Sequence, residues 1–273
     1  MLIVESQGLD VYRNLAIEEY LMDRVADRGA VLFLWRSECA VVVGKNQNPW
    51  RECRLDLMRD EGVPLARRIS GGGAVYHDAG NLNYCVIVDR LLYREEQAYE
   101  MVFQSLETLG VRAERTGKSN LSENGRKFSG NAFAFRKGRA LHHGTLLLNT
   151  DLVQLNRYLG SMSDHIDTRA IASVPAEVAN LDLDVDEVSG ALKDGFRSLY
   201  GGGDVFQWTE VDLDAAVLNT LLERQVSNDW KYGATPRFSL ETNGLRMEVV
   251  KGMVENGEYG GRPFKDVAFS LFC

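Results

Sequence analysis

Residues 67–73 read Arg67-Arg68-Ile69-Ser70-Gly71-Gly72-Gly73. Three successive residues without a Cβ reach backbone conformations closed to other residues, and they let main-chain N–H groups come close to a ligand. Apolar-leaning runs stand on either side, at residues 65–69 and 74–78, so the segment is predicted to be a glycine turn between strands. The arginine pair adds fixed positive charge of the kind that suits phosphate or carboxylate. Backbone donors beside fixed charge point to an anion site, most simply for a nucleotide phosphate. Side chains alternate along a strand, so only one arginine of the pair should face such a site. The other is expected at the surface, solvated or ion-paired. Taken alone, the glycines would also suit a plain tight turn.

The familiar phosphate signatures do not fit. Gly117-Lys118-Ser119 ends like a P-loop, but Arg112 stands where its first glycine must be. A dinucleotide fingerprint through Gly71 and Gly73 meets Tyr76 in place of its third glycine. No Gly-x-Ser-x-Gly elbow occurs. The phosphate reading therefore needs an architecture in which glycines join two strands.

Two further segments carry chemistry. In Gly125-Arg126-Lys127-Phe128-Ser129-Gly130 a lysine lies in a strand between two glycines. Phe128 should point away from Lys127, so burial of Phe128 would leave Lys127 lining the opposite face. A lone strand lysine is otherwise a surface charge. In Leu141-His142-His143-Gly144 the adjacent histidines must face opposite ways, and no carboxylate stands at ligand spacing. One histidine is expected to face a pocket and the other to pack elsewhere, although both could be structural.

Periodicity predicts helices over residues 14–26, 51–61, 95–109, 151–159, 186–199 and 212–222. It predicts strands over 31–35 and 40–43, read as a hairpin, and over 65–69, 74–78, 82–88, 111–115, 127–135 and 140–148. The 186–199 helix is expected to end at Gly201-Gly202-Gly203. Strands and helices are mixed without regular alternation, which suggests a largely antiparallel α+β domain. From Trp230 onward the texture becomes strand-rich, and a soft boundary is placed near residues 200–230.

The 273 residues, 45 % hydrophobic and 26 % charged, suffice for one large core with a small appendage. The net charge of −8 argues against non-specific nucleic-acid binding. The amino terminus has no signal-peptide pattern and no apolar run approaches a membrane span, so a cytoplasmic protein is expected. Cys39, Cys53, Cys85 and Cys273 form no Cys-x-x-Cys pair. With four histidines in the chain, no metal site is expected. The thiols are read as inert, with a catalytic cysteine kept as an alternative.

Taken in order, several segments resemble the lipoate–protein ligase A family. They are residues 14–19; Val43-Gly44-Lys45-Asn46-Gln47-Asn48-Pro49-Trp50; residues 67–78 with Gly80-Asn81; Arg126-Lys127-x-Ser129-Gly130; His142-His143-Gly144-Thr145; and Ser173-Val174 with residues 178–181. The resemblance implies a catalytic fold like that of biotin–protein ligases and class II aminoacyl-tRNA synthetases. It implies a catalytic domain over 1–205 and a short accessory region over 206–273. It also implies a two-step reaction in which ATP and lipoate give lipoyl-AMP and pyrophosphate, and the acyl group then passes to a lysine of a carrier domain. Mg2+ would accompany ATP.

By the same resemblance Lys127 is catalytic, and Arg68, Gly73, Ala74, Val75 and Tyr76 join it in holding the nucleotide. Ser70, Gly72, Asn81, Asn83, Gly130, Ala132 and His143 are implied for the lipoate pocket, again with Lys127. Leu15, Val43 and Val75 would line an apolar acyl tunnel. Arg169 or Ala170 stands where the family often has lysine. A separate accessory subunit is a possible partner. The rival reading is an ATP-independent octanoyl- or lipoyl-transferase, weakened because Gly160-Ser161-Met162-Ser163-Asp164 lacks a cysteine. A noncatalytic binder of acyl-adenylate is the reading from another class.

Overall fold

The computed structural model describes residues 1–24, 29–201, 204–242 and 244–269. In chain order the elements begin with β1 (Leu2–Glu5), α1 (Val11–Arg24), β2 (Val31–Trp35), β3 (Ala40–Val43), α2 (Pro49–Glu52) and α3 (Leu55–Asp60). Next come β4 (Leu65–Arg67), β5 (Val75–His77), β6 (Asn81–Asp89), α4 (Glu95–Glu107), β7 (Glu114–Thr116), β8 (Asn120–Glu123), β9 (Arg126–Arg136) and β10 (Arg139–Leu147). Then follow α5 (Leu152–Tyr158), β11 (Ile166–Thr168), α6 (Val185–Tyr200), β12 (Phe206–Trp208), α7 (Ala215–Val226) and α8 (Asn228–Lys231). The last strands are β13 (Phe238–Thr242), β14 (Leu245–Val250), β15 (Met253–Tyr259), β16 (Arg262–Phe264) and β17 (Val267–Ala268). Residues 25 and 26 of the first predicted helix, Gly202, Gly203 and Cys273 lie outside the described residues.

The chain divides into two compact units that interleave in sequence. The first comprises Met1–Glu38, His77–Leu152 and Pro175–Leu222, and the second Cys39–Tyr76, Val153–Val174 and Glu223–Cys273.

The first unit is built on an eight-stranded sheet in the order β12-β1-β2-β6-β10-β9-β8-β7. Only the pairings of β1 with β2 and β12 are parallel. Alternation decides its faces. Leu82, Tyr84, Val86 and Val88 of β6 turn to one side and form a cluster with Tyr99, Val102 and Leu106 of α4 and Val188, Leu192 and Phe196 of α6. Helix α6 starts where the Asp184 carboxylate accepts from the N–H groups of Asp186 and Glu187. A Cβ at Gly195 would come 2.4 Å from Ser105 Oγ, so that glycine is what lets α4 and α6 approach. Helix α1 packs against β2, β6 and β10.

The second unit holds two smaller sheets. One runs β11-β13-β14-β15-β16 with β17 paired to β15, and the other runs β4-β3-β5. The core centres on the buried Trp50, whose ring lies 5.3, 5.4 and 5.0 Å from those of Tyr232, Phe238 and Phe269. Val41, Val43, Cys53, Met58 and Tyr76 share this cluster with Met247, Val249 and Val254. The strand-rich texture after Trp230 is thus real, and those strands complete the core around Trp50.

Two local expectations are corrected. Segments 31–35 and 40–43 are strands but not a hairpin: β2 lies between β1 and β6, whereas β3 lies between β4 and β5. The predicted helix over 51–61 is two short ones, α2 and α3, parted at Cys53-Arg54. An extended backbone at Cys53 breaks the first, and Cys53 bridges to Leu159. The mixed α+β class with mainly antiparallel sheets stands.

Candidate functional site

The residues singled out from sequence fall into two groups, one in each unit. Arg68, Ser70, Gly72, Gly73, Ala74, Val75 and Tyr76 belong to the second, and Asn81, Asn83, Lys127, Gly130, Ala132 and His143 to the first.

In the second unit the glycine segment leaves β4 and returns as β5. These strands flank β3, so the loop crosses the end of β3. The crossing is tight. Gly72 takes φ +83°, and a Cβ at Gly44 would sit 2.4 Å from Gly72 O. Arg68 N–H donates to Val43 O (3.1 Å) and Lys45 N–H to Ser70 O (2.8 Å). The buried Arg68 guanidinium braces the loop from within. Nη2 donates to Gly71 O (2.6 Å) and Gly73 O (2.7 Å), Nε to Ser70 Oγ (3.0 Å) and Nη1 to Val42 O (3.1 Å). Ser173 Oγ accepts from Ala74 N–H (2.8 Å) and Gln47 Nε2 (3.1 Å), while Ser173 N–H donates to Glu52 Oε2 (3.0 Å). Tyr76 is buried against Tyr158, and Val43 lies in the unit's core.

Arg67 is not the surface residue expected. It is fully buried, and its guanidinium donates to Gly44 O, Lys45 O, Gln47 O, Lys231 O and Thr235 Oγ1 at 2.7–3.1 Å. Burial lowers its pKa to about 10, so it remains a cation at neutral pH.

In the first unit the register gathers the predicted residues on one sheet face. His143 lies opposite Cys85 and Ala132, and Thr145 lies opposite Asn83. Leu147 lies opposite Asn81, and Trp35 opposite Asn83. Gly130 N–H donates to Thr145 Oγ1 at 3.2 Å. Asn83, Asn81, Gly130, Ala132 and His143 therefore share the face that α1 covers, away from the α4–α6 core. Asn81 Nδ2 donates to Asn83 Oδ1 (3.1 Å), and Asn83 Nδ2 to Trp35 O (3.3 Å).

Lys127 sits where the register of β8 against β9 shifts. Its main chain is pinned twice, by its N–H to Glu177 O (3.0 Å) and by Ala179 N–H to its carbonyl (2.9 Å). Phe128 is buried in the α4–α6 cluster, as expected, and Lys127 is half-buried. A Cβ at Gly130 would lie 3.4 Å from Lys127 Nζ, so the ammonium rests over a residue with no side chain.

The histidines separate as alternation requires. His142 is buried on the core side, with Nε2 3.0 Å from Asn131 Oδ1 and the rings of Tyr99 and Phe133 at 4.9 and 4.5 Å. Burial lowers its pKa to about 3, so it is neutral. His143 Nδ1 lies 2.9 Å from Glu18 Oε2, and Trp35 Nε1 donates to Glu18 Oε1 at 3.1 Å.

Sequence reasoning passed over Glu18, Trp35, Ser173 and Arg67 as site residues. Glu18 carried a signal, because it stands on the apolar stripe of α1 between Leu15 and Leu21. A carboxylate there needs a buried partner. Ser173 was marked only through the Ser173-Val174 segment of the family resemblance, which gave no sign of its partners about a hundred residues away.

Comparison with known proteins follows the same lines. Residues 10–197 match the family described as the lipoyl protein ligase A/B catalytic domain. A protein of Bdellovibrio bacteriovorus named lipoate-protein ligase A is 40 % identical over 86 % of this chain and 72 % of its own length. The crystal structure of P. falciparum LipL1 in complex with lipoate superposes with a TM-score of 0.74 at 26 % identity, over 98 % of this chain and 85 % of that one. A lipoate-protein ligase A solved with ATP gives 0.70 at 28 % identity, over 84 % and 97 %. A bi-partite lipoate protein ligase of Thermoplasma acidophilum, described with its E2 lipoyl domain, gives 0.70 at 27 % identity, over 89 % and 97 %. The chain belongs to the lipoyl protein ligase A/B catalytic family.

Proposed function

We propose that this chain is a lipoate–protein ligase, which activates lipoate with ATP and passes the lipoyl group to a lysine of a lipoyl carrier domain. Membership of the family, the named relative at 40 % identity and the relatives solved with lipoate or ATP support this reading. The observation that carries it is Lys127. Main-chain bonds fix it on both sides, and its ammonium lies over Gly130, where the absence of a side chain leaves room for the lysine.

In the first step a lipoate carboxylate oxygen attacks the α-phosphorus of ATP. The bond to pyrophosphate breaks, and the mixed anhydride lipoyl-AMP forms. Negative charge gathers on the phosphoryl oxygens, where a preorganised ammonium and backbone N–H groups have most effect. Lys127 would hold the acyl oxygen and follow it as the anhydride forms. Arg68, through the loop it braces, and residues 73–76 would seat the nucleotide, with Ser70, Gly72, Asn81, Asn83, Ala132 and His143 around the lipoate. In the second step the carrier amine attacks the acyl carbon, the bond to AMP breaks, and the amine loses its proton.

Mg2+ would arrive with ATP as the metal–nucleotide substrate. Among the described residues no group of three or more His, Cys, Asp or Glu is arranged to hold a metal. Residues 1–205 are proposed as the catalytic part and 206–273 as the accessory part, in the cytoplasm. Among the described residues no helix is long and apolar enough to cross a membrane. Transfer through a thioester at Cys53 or Cys85 is disfavoured, since burial raises the pKa of both and starves them of thiolate.

Lipoate-dependent exchange of labelled pyrophosphate into ATP tests the reading. Exchange supports it. Acyl transfer from a loaded carrier without ATP would replace it with the transferase, and binding with neither activity with the noncatalytic protein. The same assay with and without candidate accessory proteins tests for a second subunit.

A further inference from the structure

Arg67 takes no part in the proposed chemistry, yet its buried guanidinium makes six hydrogen bonds within the second unit. A fully buried guanidinium is costly to desolvate. Six hydrogen bonds offset that cost, and among the described residues no carboxylate shares it. Five of the six bonds end on main-chain carbonyls and the sixth on the Thr235 hydroxyl.

The acceptors come from two stretches. Gly44 O, Lys45 O and Gln47 O belong to the turn after β3, against which Gly72 packs. Lys231 O, which accepts from both Nε and Nη2, and Thr235 Oγ1 belong to the segment after α7. That segment also grips the other end of the residue, since Trp230 Nε1 donates to Arg67 O at 2.6 Å. The residue before Arg68 is therefore clamped at its carbonyl and at its guanidinium by residues 230–235, and it passes that restraint to the turn beneath the glycine loop. The fan of donors needs a planar fork. A lysine supplies one ammonium in place of the six bonds.

We infer that Arg67 is a positioning residue for the nucleotide loop, and that residues 230–235 set the loop's geometry through it. This rests on the ligase reading for its kinetic consequence, but not for its structural one. When the clamp slackens, the turn at 44–47 and the crossing loop at 70–74 lose their common anchor. Nucleotide capture then suffers more than lipoate capture, whose predicted residues lie largely in the other unit.

The test uses the full chain with Arg67→Lys and, from the far side of the clamp, Thr235→Val. Thr235→Val removes one bond and keeps the shape, so it folds even if Arg67→Lys does not. The first readout is amide hydrogen exchange. Ala74 N–H should exchange on the order of tenfold faster in either variant, as expected for loss of about one charge-assisted bond. Amides of β10 should keep their wild-type rates. The second readout is steady-state exchange kinetics, in which KM for ATP should rise several-fold while KM for lipoate stays within about twofold. Unchanged Ala74 exchange in Thr235→Val overturns the inference. So does acceleration at β10 equal to that at Ala74, because the residue would then be merely structural. A wild-type protein without pyrophosphate exchange sinks the ligase reading and leaves the hydrogen-exchange result to decide the role of Arg67.

Discussion

At the scale of single residues, the chain separates groups that restrain from groups that are set to act. Lys127 is held by its main chain and carries its ammonium over Gly130. Replacing Lys127 with alanine should lower lipoate-dependent pyrophosphate exchange by about 10²–10³-fold with an unchanged circular dichroism spectrum. Near-wild-type turnover by a folded variant would remove Lys127 from its role. His142 makes a prediction about pH. In the unfolded chain its imidazole takes a proton near the ordinary histidine value of 6.5, while in the folded chain burial allows it only near pH 3. Falling pH therefore favours unfolding below about 6.5, by on the order of 1 kcal/mol per pH unit from this group. Urea midpoints measured from pH 7 to pH 5 should fall less steeply for His142→Asn than for the parent. Equal slopes would show that this imidazole is not kept neutral by folding. The opposite facing of His142 and His143 was legible, because strand alternation is a local property. The fate of Arg67 was not. Alternation says which way a side chain leaves the strand, but not that residues 231 and 235 wait on that side.

Elements were found more reliably than their partners. The periodicities of β6, β9, β10, α4 and α6 survive in the structure because each contributes one face to the same core between the sheet and its helices. The 31–43 hairpin failed for the opposite reason. A short polar gap is compatible with a hairpin, but nothing in it reveals that β2 seeks β1 and β6 while β3 seeks β4. The glycine segment shows the same limit. Its role as a loop between strands was readable, whereas the intervening β3 was not, and β3 is the physical reason for close backbone approach at Gly44 and Gly72. Gly44→Ala should accordingly cost roughly 1–3 kcal/mol, because its Cβ meets a carbonyl that cannot move without shifting the loop. Chemical denaturation measures that cost. A variant as stable as the parent would mean that the crossing is looser than 2.4 Å implies.

At the scale of the whole molecule, the chain passes between the two units five times, at 38/39, 76/77, 152/153, 174/175 and 222/223. A chain ended at Leu222 would deprive Trp50 of Tyr232, Phe238 and Phe269, and Arg67 of Lys231 O and Thr235. Loss of buried aromatic partners costs about 3–5 kcal/mol each. Hydrogen-exchange protection of residues 39–76 should then collapse, and retained protection there would show that the later strands are dispensable. On the ribosome this order of synthesis has a price in time. The glycine loop emerges early, yet the segment that anchors it leaves the exit tunnel more than 150 residues later. Until then the nascent chain displays an open apolar surface around Trp50, and the loop's final shape waits for the arrival of residues 230–235.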